Sequence, residues 1–171
     1  VDATVGLSQP YCTYRVDQVT HSSVDLKINN RVPALHMNYD YTGASRLSSF
    51  YLEPDYRCNF YDQLLSKSRL LFMACFPERF AATTIAEMKG VIGSDGVSPF
   101  WESVGRHFFT MDFAEADLLT TSSNKHFIAN LMPRYPLYVP LLSDNAQAVI
   151  GQHHDDVEDI VNILEHEGLR F

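Results

Sequence analysis

The chain has 171 residues, 46% of them hydrophobic and 20% charged, a composition that builds an ordinary globular core and excludes a low-complexity or disordered chain. Its formal net charge of −8 argues against nucleic acid or an anionic membrane surface as partner. No apolar run reaches membrane-spanning length, no secretory signal is visible, and Cys12, Cys58 and Cys75 lack close spacing, so free thiols in a reducing compartment (cytoplasm or mitochondrial matrix) are expected.

No repeat or linker interrupts the sequence, so a single domain over residues 1–171 is expected. Residues 11–20 and 35–38 read as strands divided by polar turns, and Thr42-Gly43 as the turn into a third strand. That strand, residues 46–52, alternates weakly and is stopped by Pro54. A helix follows, with Asp62 as its expected N-cap and Pro77 as its end. Its apolar stripe is read at Leu64, Leu65, Leu71, Phe72 and Cys75, which makes Cys75 a packed thiol.

Residues 83–92 read as another strand, with Gly90 near its end, and Gly93-Ser94-Asp95-Gly96 as a loop. Ser98-Pro99 marks the start of a short helix that is expected to finish at Gly105. Beyond it the pattern is mainly helical, over residues 113–120, 125–131 and, capped by Ser143, 144–150. Three prolines keep residues 132–142 extended or turning. The last helix has the clearest pattern, with Val157, Ile160, Val161 and Leu164 on one face. Asp155 and Asp156 stand at its start, and Gly168 fits its C-terminal cap. Alternating strands and helices in the first two-thirds give an α/β fold.

Two stretches have chemistry-bearing patterns. The strand–loop–helix of residues 45–76 places free helix N–H groups after a loop containing Arg57, an arrangement that holds phosphate, although an ordinary α/β unit has the same pattern. His154, in Gly151-Gln152-His153-His154-Asp155-Asp156, precedes the last helix and changes charge near neutral pH, so it is a candidate proton carrier or, alternatively, a helix cap. Adjacent His153 and His154 diverge and have no spaced third ligand, so no metal site is expected. The remaining histidines are scattered.

LEPDYR followed by LLSKSRLLFMA resembles the strand–loop–helix with which acyl-coenzyme A N-acyltransferases grip a pyrophosphate. HFF-MDF-EAD, FIANLMPRYPLYVPLL and QAVIGQHH are similar to arginine N-succinyltransferase, a family whose members are about twice this long, so the chain resembles the middle half of one. The resemblance implies a mixed α/β acyltransferase sheet with flanking helices and a helical C-terminal extension. It also implies transfer of succinyl from succinyl-coenzyme A to the α-amine of L-arginine, with no permanently bound cofactor, in a homo- or hetero-oligomer. By the same resemblance His154 is the proton donor, Phe50 lies where the family contacts the acyl-coenzyme A, with main-chain groups there binding the thioester carbonyl and pantetheine, and Arg57 is on the phosphate side. Asp40 is placed for the arginine guanidinium, and His21, in a matching His-x-Ser, is a second substrate-site candidate. A core aromatic at Phe50 and a turn-capping aspartate at Asp40 are the plain alternatives.

The chain also departs from the family pattern. Active members have a glycine-rich loop where this sequence has Arg57-Cys58-Asn59-Phe60-Tyr61-Asp62-Gln63. Side chains there obstruct close approach of a pyrophosphate, and Asp62 repels it. Asp155 also replaces the proline that follows the family's histidine. A catalytically inactive, structural subunit of a larger assembly is therefore the second reading.

Overall fold

A computed structural model describes residues 1–56, 60–122 and 126–170. In chain order the strands are β1 (Thr13–Ser23), β2 (Ile28–Asn38), β3 (Ser45–Leu47), β4 (Thr84–Ala86) and β5 (Leu137–Tyr138). The helices are α1 (Tyr61–Cys75), α2 (Arg106–Phe109), α3 (Phe113–Ser122), α4 (His126–Leu131), α5 (Asp144–Val149) and α6 (Glu158–His166). They fall into two compact units, one of Val1–Ser8, Tyr41–Gly90 and His153–Phe171, the other of Gln9–Asp40 and Val91–Gln152. No helix among the described residues is long and apolar enough to cross a membrane.

In the first unit β3 and β4 pair in parallel, from Ser45 opposite Thr84 to Leu47 opposite Ala86, with α1 as the crossover. Such a β–α–β unit is the element of α/β folds. Leu47 of β3 and Ile160 and Leu164 of α6 form the buried cluster, 1%, 8% and 3% exposed, with Phe50, Leu70, Met73 and Val157 packed against it. Ser45 is fully buried but satisfied, donating to the Ala3 carbonyl and accepting from the Ala81 N–H. Arg46 pairs with Asp2 and Glu87.

Three expectations for this unit are corrected. The strand over 46–52 ends at Leu47, because β4 ends opposite it at Ala86 and Ser49 then turns left-handed (φ 53). Likewise the strand over 83–92 keeps regular pairing only to Ala86, with one isolated bridge between Gly90 and His153 beyond it. On α1, the stripe at Leu64, Leu71, Phe72 and Cys75 faces outward, with Leu64 and Leu71 each 65% exposed and Cys75 exposed. The face that meets the core is Ser66, Leu70 and Met73, at i, i+4 and i+7. Both phases suit a helix, and the tertiary partner decides between them.

The second unit is built on an antiparallel hairpin, β1 against β2 from Thr13 opposite Asn38 to Ser23 opposite Ile28, with β5 adding to β2 at Ala34 and Leu35. Polar Asn29-Asn30-Arg31 and Pro33 hide the first half of β2 in the sequence, so it is longer than expected. Val104, Phe109 and Met132 form its buried cluster. Tyr14 packs there and donates to the Pro133 carbonyl at 2.8 Å. Burial, aided by Cys12, pushes its hydroxyl up to about 12.

The helix that starts at Ser98-Pro99, whose hydroxyl accepts from Trp101 N–H, does not stop at Gly105. A π-helical turn at Trp101–Gly105 runs straight into α2, and Thr110, left-handed at φ 53, ends it. Gly105 is helical rather than a cap. Any side chain there would strike the Trp101 ring. The remaining helices α3 to α6 lie where the pattern puts them, and Ser143 caps α5 by accepting from Ala146 N–H.

Candidate functional site

The first unit holds three of the five predicted site residues, of which Arg57 lies outside the described residues. His154 is fixed from three directions. Its backbone N–H donates to the Lys89 carbonyl at 2.8 Å, and it forms the extended N-cap of the turn leading into α6. Its Nδ1 lies 3.1 Å from the Asp156 N–H and 3.2 Å from the Asp156 carboxylate. The contacts are mutually exclusive: an unprotonated Nδ1 accepts from the amide, and a protonated one donates to the carboxylate. Either way Nδ1 is tied to the helix start, so Nε2 is the ring nitrogen left to exchange a proton. The side chain is 22% exposed, sheltered but reachable.

Phe50 lies past β3 rather than on it, half-buried against the Leu47–Ile160–Leu164 cluster. The backbone here differs from a strand in a way that matters for binding. Residues 48–51 make no backbone hydrogen bond to any described residue, since β4 does not extend opposite them. Ser49 and Tyr51 are exposed and Ser48 and Phe50 half-buried, so the main-chain donors and acceptors of this run face solvent beside the core and are open to a ligand. A thioester carbonyl and the amides of an extended ligand are chemically suited to it.

Next along the chain, Leu52, Tyr56, Tyr61, Leu64, Leu65 and Ser68 line a shallow apolar hollow of about 420 Å³ at the start of α1. The Tyr56 and Tyr61 rings meet edge-on at 5.8 Å. The N-cap is Phe60, not Asp62 as expected. Phe60 is left-handed at φ 67, makes no side-chain cap and is 75% exposed. Asp62 instead takes the Gln63 N–H on its own carboxylate at 2.7 Å. An N–H that would face a phosphate is thus occupied by an anion.

Asp40 and His21 belong to the second unit. Asp40 follows β2, exposed, and its carboxylate is held by Arg15 Nη1 at 2.9 Å, while Asp17 takes the rest of that guanidinium. These carboxylates hold the Arg15 guanidinium above its ordinary range, and the same contact keeps Asp17 below the usual carboxylate range. Asn38 serves the local turn, accepting from Thr13 and from the Asp40 N–H. His21 is exposed on β1, its ring 5.5 Å from that of Tyr138, in a shallow hollow with Val32, Pro140 and Leu141. Among the described residues no group of three metal-ligating side chains gathers.

The resemblance already pointed to main-chain groups around Phe50 for the thioester carbonyl. Sequence reasoning missed that they lie past the strand, which of the two aspartates meets His154, and Arg69. Arg69 lies with its guanidinium carbon 5.0 Å from the Phe50 ring centre. Its neighbours Ser66, Leu70 and Met73 were the available signal, since they place a cation beside the face of α1 that meets the core.

Comparison with known proteins gives one consistent answer. The family described as "Arginine N-succinyltransferase beta subunit" matches residues 1–171. The arginine N-succinyltransferases of Enterobacter sp. (strain 638) and Citrobacter koseri are 46% and 45% identical over all 171 residues. The chain spans about half the length of these curated relatives, 50% of each. Among solved structures, the arginine/ornithine succinyltransferase subunit AI from Pseudomonas aeruginosa superposes with a TM-score of 0.86 at 40% identity, covering 98% of this chain and 48% of that one.

Proposed function

The chain belongs to the arginine N-succinyltransferase family, and from that premise we propose that it contributes the acyl-transfer site of an enzyme that moves succinyl from succinyl-coenzyme A to the α-amine of L-arginine. The observation that carries this reading is the open main chain at residues 48–51, in the same compact unit as a histidine whose Nδ1 is already engaged. The amine attacks the thioester carbonyl, the C–N bond forms and the C–S bond breaks. Amides of the open segment stabilise the developing oxyanion, and the departing thiolate takes the Nε2 proton of His154. The proton lost by the amine leaves to solvent, from which His154 is recharged. The Asp156 carboxylate supports the charged ring, and the segment around Phe50 holds the acyl end.

Arg57 is assigned to the coenzyme A phosphates, and Asp40 to the arginine guanidinium once Arg15 yields it. His21, lining its own hollow, is assigned as a substrate-binding residue. Because relatives are twice as long, the working protein is taken to be a larger chain or an oligomer. In that intact protein, succinyl-coenzyme A and arginine together should release free coenzyme A thiol, and either alone should not.

One observation favours a second reading. With Phe60 and Asp62 at the start of α1, the anion-binding end of the helix is obstructed and internally occupied, as in a structural subunit that has lost catalysis. Calorimetric titration with coenzyme A separates the two. Heat of binding supports the enzyme, and none at millimolar ligand leaves the structural subunit.

A further inference from the structure

Among the described residues Arg69, midway along α1, has no ion pair to explain it. Three other cations of its unit have one, Arg46 with Asp2 and Glu87, Lys67 with Glu167, and Lys89 with Asp156, while Arg79 lies exposed beside the Phe72 and Phe76 rings. Arg69 instead has its Nε and Nη2 buried, without a hydrogen-bond partner among the described residues. The Phe50 ring lies over the guanidinium at 5.0 Å. Burial holds its pKa below the ordinary value, yet a guanidinium stays charged at neutral pH.

Buried donors of a charged group are expensive to leave unmade, and an aromatic face compensates for only part of that. Nε and Nη2 form one edge of the planar fork, the edge that takes a carboxylate side-on through two parallel hydrogen bonds. The ring of Phe50 occupies the face of the cation, so a carboxylate at the edge and a ring at the face are compatible. Phe50 in turn belongs to the open main-chain segment.

We propose that the Nε–Nη2 edge of Arg69 receives the terminal carboxylate of a dicarboxylic acyl group whose thioester lies at residues 48–51, and so selects that acyl group over neutral ones. The proposal rests on the transferase reading above. It supplies the recognition that reading lacks, since a succinyl group differs from a butyryl group of equal length only by its charged end. Both donors are covered here, so the side chains over them yield as the acyl chain enters.

The test uses the intact protein with arginine and two donors, succinyl-coenzyme A and butyryl-coenzyme A. Arg69→Gln should lower kcat/KM for succinyl-coenzyme A by about tenfold to a hundredfold, the scale of a lost charged hydrogen bond, and move that for butyryl-coenzyme A by less than about threefold. Arg69→Lys, which keeps the charge without the fork, should fall between. Equal loss with both donors, or an unchanged succinyl-to-butyryl ratio, overturns the proposal while leaving the transferase standing. A wild type inactive on both donors removes the transferase reading and this proposal with it. Should Arg69→Gln fail to fold, Arg69→Lys decides, and it overturns the proposal if it leaves the donor ratio unchanged.

Discussion

Two helix starts in the same compact unit are built in opposite ways. Before α6, His154 is extended, anchored to the Lys89 carbonyl, and uses its own ring to meet the Asp156 amide. Before α1, Phe60 is left-handed without a side-chain cap, and Asp62 folds back on the next amide. The first start is a fixed, titratable group with one nitrogen to spare. The second is a backbone suited to an anion but furnished with side chains that keep one away. On the proposed reading, in which the first delivers a proton and the second holds phosphate, the difference teaches that the two tasks are separate structural problems, and one can change while the other stays in order.

The comparison first predicts a difference in anchoring. Leu164→Ala empties the cluster that fixes α6 and should destabilise by about 2–5 kcal/mol, whereas Leu64→Ala on the outward face of α1 should stay within about 0.5 kcal/mol. Equal losses in chemical denaturation would break the contrast. Next, His154→Asn keeps a side chain able to cap a helix but not to deliver a proton. Turnover should fall by about a hundredfold or more with stability nearly unchanged. Matching losses in stability and rate would reduce His154 to a cap.

The α1 start should respond in the other direction. Phe60→Gly removes a side chain from a left-handed position and should stabilise by about 1 kcal/mol, read as a raised denaturation midpoint. A lowered midpoint would mean that the exposed ring contributes packing. The smallest effect is expected of Asp62→Asn, which frees the helix start of a negative charge and should tighten coenzyme A binding by about twofold to fivefold in titration calorimetry. Unchanged affinity would place the phosphates elsewhere.

Much of the fold was legible because it depends on local pattern. The face of Ile160 and Leu164 on α6, the Ser143 cap and the stops at Pro77 and Gly168 follow from periodicity and backbone chemistry. What was not legible depends on partners distant in sequence. The phase of α1 is set by Leu47 and α6, and the end of β3 by the length of β4. Gly105 reads as a helix end until the Trp101 ring is seen against it. The same holds for the site. His154 stood out by type and position, but its Nδ1 partner required the turn geometry, and Arg69 became visible only once Phe50 was placed beside it.

If the main chain at residues 48–51 is where the thioester binds, its amides, which have no partner among the described residues, should gain partners when the ligand arrives. Hydrogen–deuterium exchange on the intact protein, with and without saturating coenzyme A, reads this directly. Slowed exchange confined to residues 48–51 and the first turn of α1 is the expected result. Unchanged exchange over residues 48–51 while coenzyme A is bound would contradict it.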